Sequence, residues 1–273
     1  MPSTTDSTWG WNDAPFSAKF DPKRFYTGVS QEEAISRMQF LVDNRRLLGI
    51  LEGPSGCGKS LVLDVCARQF RQQGRQVVSC NLMGVDAGEF LWQLAAGLGS
   101  HPKLDATALE LWRDIEDRIK ANRYQRIDTV VFGDNCEEAD SEVLMLLARL
   151  TQLDMSDDSR LTIVLAIEEG RCHRLGRRLQ ELCDLRIEME PWTEDEIADF
   201  VKAALATAAC NLDVFTPEAL QRLCDLSDGV PRRVQQLAQL AIFAAAAQDL
   251  EEIDEDTLDA VQRELSARPT AWV

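Results

Sequence analysis

Eight residues, Gly53-Pro54-Ser55-Gly56-Cys57-Gly58-Lys59-Ser60, constrain this chain more than any other stretch. They follow G-x-x-x-x-G-K-[ST], the phosphate-binding P-loop. The apolar run from Leu47 to Leu51 precedes them and predicts a buried strand. Leu61, Val62, Val65, Cys66 and Phe70 follow at helical spacing. Four fixed positions match by chance in about one chain of this length in a hundred, and the flanking strand and helix make chance rarer still. The residue types suit the chemistry. Glycines let the backbone wrap a phosphate chain, with successive N–H groups pointing inward as an anion nest. The helix start adds partial positive charge. Lys59 is expected to reach the β- and γ-phosphates and Ser60 to ligate Mg²⁺.

Around this motif, strands alternate with helices. Strands are predicted at Gln76 to Leu82, Ile127 to Phe132, Leu161 to Ile167 and Leu185 to Met189. Helices are predicted from Ser30, with Glu33 as capping-box partner, from Asp86, and from Thr107 to Asn122 as an acidic surface helix. Another is expected over Asp140 to Leu153 with Val143, Leu144, Leu146, Leu147 and Leu150 on its buried face. Alternation of this kind predicts an α/β fold with a doubly wound parallel sheet. From Pro191 only helices follow, beginning at Thr193 (with Glu196 in the box position), Thr216-Pro217-Glu218, Val230 and Asp254. The expected organisation is an irregular aromatic arm over 1–30, a nucleotide-binding domain over 31–190 and a small all-helical lid over 191–268. The arm carries Trp9, Trp11, Phe16, Phe20, Phe25 and Tyr26. It either packs its aromatics on the domain or brings Phe25 and Tyr26 to the base of the nucleotide.

Composition excludes several classes. No run of about 18 apolar residues occurs, so no membrane span is expected, and the N-terminus has no signal-peptide pattern. Eight cysteines are scattered without C-x-x-C, which argues against zinc and a disulfide framework and for a reducing cytoplasm. The net charge of −17 disfavours non-specific nucleic-acid binding.

Three further features carry chemistry. The strand ending at Phe132-Gly133-Asp134 has the Walker B form, and Asp134 is expected to hold Mg²⁺ through water. Setting this strand beside that of the P-loop puts both carboxyl ends at the ligand-binding edge. The next residue is Asn135, where ATPases of this layout commonly carry Glu. An amide orients water but takes no proton. Glu137 and Glu138 lie close by, as substitutes or as solvated loop carboxylates. Arg232 and Arg233 open a helix after Gly229-Val230-Pro231, and an arginine there either reaches a γ-phosphate or pairs with the abundant acids. The cluster Arg171, His173, Arg174, Arg177, Arg178 and Arg186 reads as a finger acting on a neighbour's nucleotide, as surface ion pairs or as a small nucleic-acid patch.

In joint order, these stretches resemble the AAA+ ATPases of the general secretion pathway protein A (ExeA-like) type. The resemblance rests on Trp9-Gly10-Trp11, Pro15-Phe16-Ser17 and Asp21-Pro22, on the P-loop, and on Phe215-Thr216-Pro217-Glu218-Ala219-Leu220 running to Ser227-Asp228-Gly229-Val230-Pro231-Arg232. It spans about residues 9 to 250. It implies an AAA+ core with a helical lid, and ATP and Mg²⁺ at the interface between subunits of a ring or similar homo-oligomer. Hydrolysis of ATP is then expected to drive rearrangement of a partner protein. By position, Gly53, Pro54, Ser55, Gly56, Cys57, Gly58, Lys59, Ser60 and Leu61 form Walker A, Asp134 is Walker B and Arg232 is the lid arginine. Asn135 departs from the family's Glu, which implies slow hydrolysis or a nucleotide-gated switch. Glu168 stands near the family's neutral polar sensor. The 273 residues hold no counterpart of the secretion proteins' membrane anchor or peptidoglycan-binding region, so that role is not expected to transfer. Related ATPases regulate DNA transposition, a reading that the charge disfavours.

Overall fold

The computed structural model describes residues 15–16, 26–154, 156, 158–208 and 214–266. Trp9, Gly10, Trp11, Ser17, Phe20, Asp21, Pro22, Phe25 and Cys210 lie outside them. The described residues divide into two compact units, Val29–Glu190 and a second that joins Pro15, Phe16 and Tyr26–Gly28 to the residues from Pro191 on.

The first unit is a five-stranded parallel sheet. Its strands are β1 (Leu48–Gly53), β2 (Gln76–Asn81), β3 (Thr129–Asp134), β4 (Leu161–Glu168) and β5 (Leu185–Glu188), in spatial order β2-β3-β4-β1-β5. The central strands read as apolar runs because helices cover both faces. Val130, Val131, Ile163, Val164, Leu165 and Ile167 are all buried. The order corrects one expectation. The P-loop strand and the Asp134 strand are not neighbours, because β4 pairs with both, Gly53 opposite Glu168 and Gly133 opposite Leu165. The carboxyl ends still share one edge, with Glu168 between them.

The helices of this unit are α1 (Val29–Asp43), α2 (Lys59–Gln72), α3 (Ala87–Gly97), α4 (Ala108–Tyr124), α5 (Ser141–Leu150) and α6 (Gly176–Glu181). Asp86 caps α3 by accepting from the Glu89 N–H, and Thr107 and Glu110 form a reciprocal capping box on α4. α1 differs from expectation. It starts one residue before Ser30, whose hydroxyl instead accepts from the Glu190 N–H at 2.8 Å, while Glu33 pairs with Arg37 one turn on. α4 is amphipathic, as its pattern predicts, with Leu111, Trp112, Ile115 and Ile119 on its buried face and Glu110, Asp114 and Asp117 exposed. α5 ends at Leu150 with Val143, Leu147 and Leu150 buried, leaving Leu144 and Leu146 half-exposed. α6 lies inside the basic cluster, where no helix was expected. Its six residues carry too little apolar periodicity to announce it.

The second unit contains α7 (Glu194–Thr207), α8 (Pro217–Ser227), α9 (Pro231–Ala247) and α10 (Glu255–Ser266). Thr193 with Glu196 boxes α7, and Thr216 caps α8 ahead of Pro217 at the first helical position. The core joins Ile197, Val201, Leu223, Val234, Ala241 and Ile242 to an aromatic group. In that group Phe16 packs against Phe200 and Phe215, with ring centroids 5.8 and 6.2 Å apart.

Candidate nucleotide site

The loop from Gly53 to Gly58 leaves β1 and enters α2. Gly56 and Gly58 both take left-handed backbone, with φ of +89° and +100°. L-residues with side chains pay for such angles, so glycine is required where the loop curls. Gly58 is also the residue that opens α2, and no side chain caps it. The N–H groups of that first turn therefore stay directed at the loop's interior. Gly53 has a different reason to lack a side chain. A Cβ there would lie 2.8 Å from the Met189 carbonyl and 2.9 Å from the Cys57 Sγ. Buried Gln31 donates to the Cys57 carbonyl at 3.4 Å and fixes the loop from beneath.

Lys59 folds back along the loop. Its ammonium donates to the Gly53 carbonyl at 2.7 Å and to Pro54 at 3.0 Å. The half-buried lysine thus lies within the cradle that its own backbone forms. Ser60 is exposed and Leu61 half-buried on the first turn of α2.

Two strands away, Asp134 ends β3, its side-chain Oδ1 accepting from the Asn135 N–H at 3.0 Å. Asn135 itself sits at φ +55°, ψ +45°, a left-handed position that Asn tolerates better than Glu. Its amide donates to Asn81 Oδ1, at the end of β2, at 2.9 Å. A short 3₁₀ turn, Cys136–Glu138, follows. Glu137 is buried there and accepts the Glu168 N–H at 3.2 Å, while Arg174 donates to its carbonyl at 3.1 Å. Glu137 therefore staples the Asp134 turn to the end of β4, a structural use beyond a solvated loop carboxylate. Arg171 bridges Glu138 at 3.1 Å and Glu168 at 2.9 Å. Burial pushes the Cys136 thiol far up, with the nearby acids adding to it, so it stays protonated and packs as an apolar group.

Arg177 pairs with Glu181 on α6, and Arg178 makes no ion pair among the described residues. His173 Nδ1 meets the Gly170 carbonyl at 3.3 Å. In the helical unit, Gly229 has φ +68°, and a Cβ on it would lie 2.4 Å from the Trp192 carbonyl. It brings the chain to α9, where Arg233 pairs with Asp228 and Arg232 is exposed with no hydrogen bond or ion pair among the described residues. Tyr26 packs edge-on against Trp192 at 5.4 Å and Phe200 at 5.7 Å.

The donor set fits a nucleotide with Mg²⁺. A glycine cradle, one ammonium and a helix start suit a phosphate chain, while Ser60 and Asp134 carry hard oxygens. No group of three His, Cys, Asp or Glu able to hold a metal by itself exists among the described residues. Mg²⁺ takes one or two protein ligands and completes its shell with phosphates and water. No helix among the described residues is long and apolar enough to cross a membrane.

Comparison with known proteins agrees. Residues 42–175 match the AAA domain family model. General secretion pathway protein A of Aeromonas hydrophila is 26% identical over 243 residues, which are 88% of this chain and 44% of that protein. The match thus spans less than half of the relative's length. Cdc6p from Pyrobaculum aerophilum superposes with a TM-score of 0.73 at 17% identity, covering 93% of this chain and 71% of that one. Drosophila ORC bound to DNA gives 0.72 at 14% identity, over 93% and 64%. RuvB, the Holliday junction branch migration motor of Thermotoga maritima, gives 0.60 at 15%, over 89% and 73%. Residues 42–175 thus match the AAA domain family, the fold is that of the P-loop AAA+ proteins, and the chain resembles the general secretion pathway protein A type.

Proposed function

We propose that the chain binds Mg-ATP at the P-loop and hydrolyses it slowly, coupling the nucleotide cycle to rearrangement of an oligomer or a partner protein. The observation that carries this reading is the shared sheet edge, where Lys59 lies in a glycine cradle and Asp134 stands two strands away. In this reading the loop N–H groups and Lys59 hold the β- and γ-phosphates, and Ser60 and Asp134 hold the metal, Asp134 through water. Bound Mg²⁺ neutralises charge that develops on the transferring phosphoryl group. Asn135 orients the attacking water, Arg232 answers to the γ-phosphate from the helical unit, and Tyr26 has a base-side role besides its packing. Positioning and charge stabilisation supply much of phosphoryl-transfer catalysis, so loss of a general base slows turnover without abolishing it.

Asn135 also supports a second reading, a nucleotide-gated switch that binds ATP, assembles and barely turns over. Its amide is already engaged with Asn81. Steady-state phosphate release separates the two. General-base help contributes about 10²–10⁴-fold, so Asn135→Glu is expected to raise the rate about tenfold or more, less whatever the left-handed backbone takes back. A fast wild type that Asn135→Glu leaves unchanged rejects the slow-hydrolysis reading. A rate at background in both proteins favours the switch.

A further inference from the structure

β2 is an edge strand of the sheet, and its free side lines a groove of about 460 Å³. The register shows which backbone groups face that groove. The Gln76 N–H donates to the Asp128 carbonyl and the Leu82 N–H to the Asp134 carbonyl. In a parallel ladder one residue turns both its N–H and C=O to the same neighbour, alternating along the strand. Gln76, Val78 and Cys80 therefore face β3, while Val77 and Ser79 present their groups outward. Arg71 Nη2 donates to the Val77 carbonyl at 3.3 Å. No partner among the described residues meets the Val77 N–H or either backbone group of Ser79, which is exposed.

The groove's walls come from α2 with the turn that follows it, and from α3. Arg71 and Arg75 stand on one side, Gln93 and Gly97 on the other. α3 lies close because Gly97 lacks a side chain; a Cβ there would lie 2.5 Å from Val78 Cγ1. Arg75 is 12% exposed, with one nitrogen on Asp43 at 2.5 Å and another 4.0 Å from Asp128. Its remaining Nη1 is buried and has no hydrogen-bond partner. Arg71 makes no ion pair among the described residues, and no acidic residue lines the groove. Asp43 and Asp128 offset Arg75, so Arg71 is the groove's uncompensated positive charge, in a chain of net charge −17. A buried guanidinium N–H without an acceptor is costly, and an exposed strand edge is a ready template for pairing.

We infer that the β2 edge takes an extended acidic segment of a partner protein as a sixth strand. Its backbone pairs with Val77 and Ser79, and a carboxylate meets Arg71 and Arg75. Main-chain bonds give such strand addition its affinity, and side-chain pockets give it specificity. The edge from Gln76 to Ser79 is about 13 Å long, enough for about four residues.

The test titrates the full chain with an acetylated, amidated hexapeptide alternating valine and glutamate, and with its lysine counterpart, followed by backbone amide NMR. Saturable shifts at Val77, Ser79 and the Arg71 and Arg75 side chains are expected with the acidic peptide only. Arg71→Ala is expected to weaken binding about tenfold, the effect of one charge-assisted contact. Ser79→Pro removes an outward N–H that the sheet does not use and should weaken it further. Arg71 is exposed, so its variant serves if Ser79→Pro fails to fold. Absence of saturation at millimolar acidic peptide, equal binding by the lysine peptide, or an unaffected Arg71→Ala overturns the proposal. Self-association that disappears in Ser79→Pro overturns it in favour of a second copy of this chain. ATP affinity, unchanged in both variants, keeps this test separate from the nucleotide reading.

Discussion

The two units hold their candidate site residues in opposite ways. In the sheet unit three such groups are engaged by their own fold: Lys59 by two loop carbonyls, Asn135 by Asn81, and Glu137 by the Glu168 N–H. In the helical unit Arg232 is exposed with no partner among the described residues, while neighbouring Arg233 is tied to Asp228. The cores differ too. Mostly aliphatic strands and helix faces, with Phe90 and Trp112, fill the first, and a contiguous group of aromatic rings that includes Phe16 joins the second. The contrast teaches that the sheet edge is preorganised by backbone, whereas the helical unit leaves the Arg232 charge without a partner among the described residues. Preorganised groups need no rearrangement when charge develops.

The largest expected effects fall on the two glycines that permit close approach. Gly229→Ala combines a left-handed φ with a Cβ 2.4 Å from the Trp192 carbonyl, and is expected to cost about 2–4 kcal/mol. Gly53→Ala meets the Met189 carbonyl at 2.8 Å with ordinary φ, and about 1–3 kcal/mol is expected. Urea unfolding of both variants checks the order. Equal midpoints would mean that backbone conformation contributes nothing at Gly229.

Arg232→Ala sharpens the contrast between engaged and available charges. ATP affinity should fall about tenfold and ADP affinity little, because only ATP offers the γ-phosphate. Arg233→Ala should not discriminate. Equal loss for both nucleotides in Arg232→Ala contradicts the lid role.

A smaller effect lies in the sheet unit, where Asp154, its side chain 3% exposed, accepts from Arg123 and from the Ser156 hydroxyl, both at 2.7 Å. Burial pushes its carboxyl up, but the bonds from Ser156 and Arg123 outweigh this and hold it below the ordinary range. A lowered pKa stabilises the fold above the unfolded value near 4, and that contribution fades as pH falls through the folded value. Asp154→Asn should therefore be less stable at neutral pH and lose less stability below about pH 4. Parallel curves for the two proteins would assign no such role to Asp154.

Much of this architecture was legible because strands and caps follow simple periodicities. The P-loop, the apolar runs of β3 and β4, and the Thr107, Thr193 and Thr216 caps follow from residue type and spacing. The strand order did not, since β4 enters between β1 and β3 through long-range pairing that no local pattern records. Ser30 looked like a cap, but its hydroxyl serves Glu190, 160 positions away. Asn135 reads in sequence as a lost base; only its left-handed backbone and the bond to Asn81 give the amide a structural reason. The engagement of Glu137 by β4 likewise depends on a contact across 31 positions.

The central claim, that the Gly53–Ser60 cradle is a Mg-ATP site, is tested most directly by calorimetric titration of ATP with and without Mg²⁺, on wild type and Lys59→Ala. Removing one charge-assisted contact costs about 1.5–3 kcal/mol, so Lys59→Ala should bind roughly ten- to a hundredfold more weakly with its fold intact. Wild-type affinity should rise when Mg²⁺ is present. Equal affinity in the two proteins, or no ATP binding by wild type, would contradict the account.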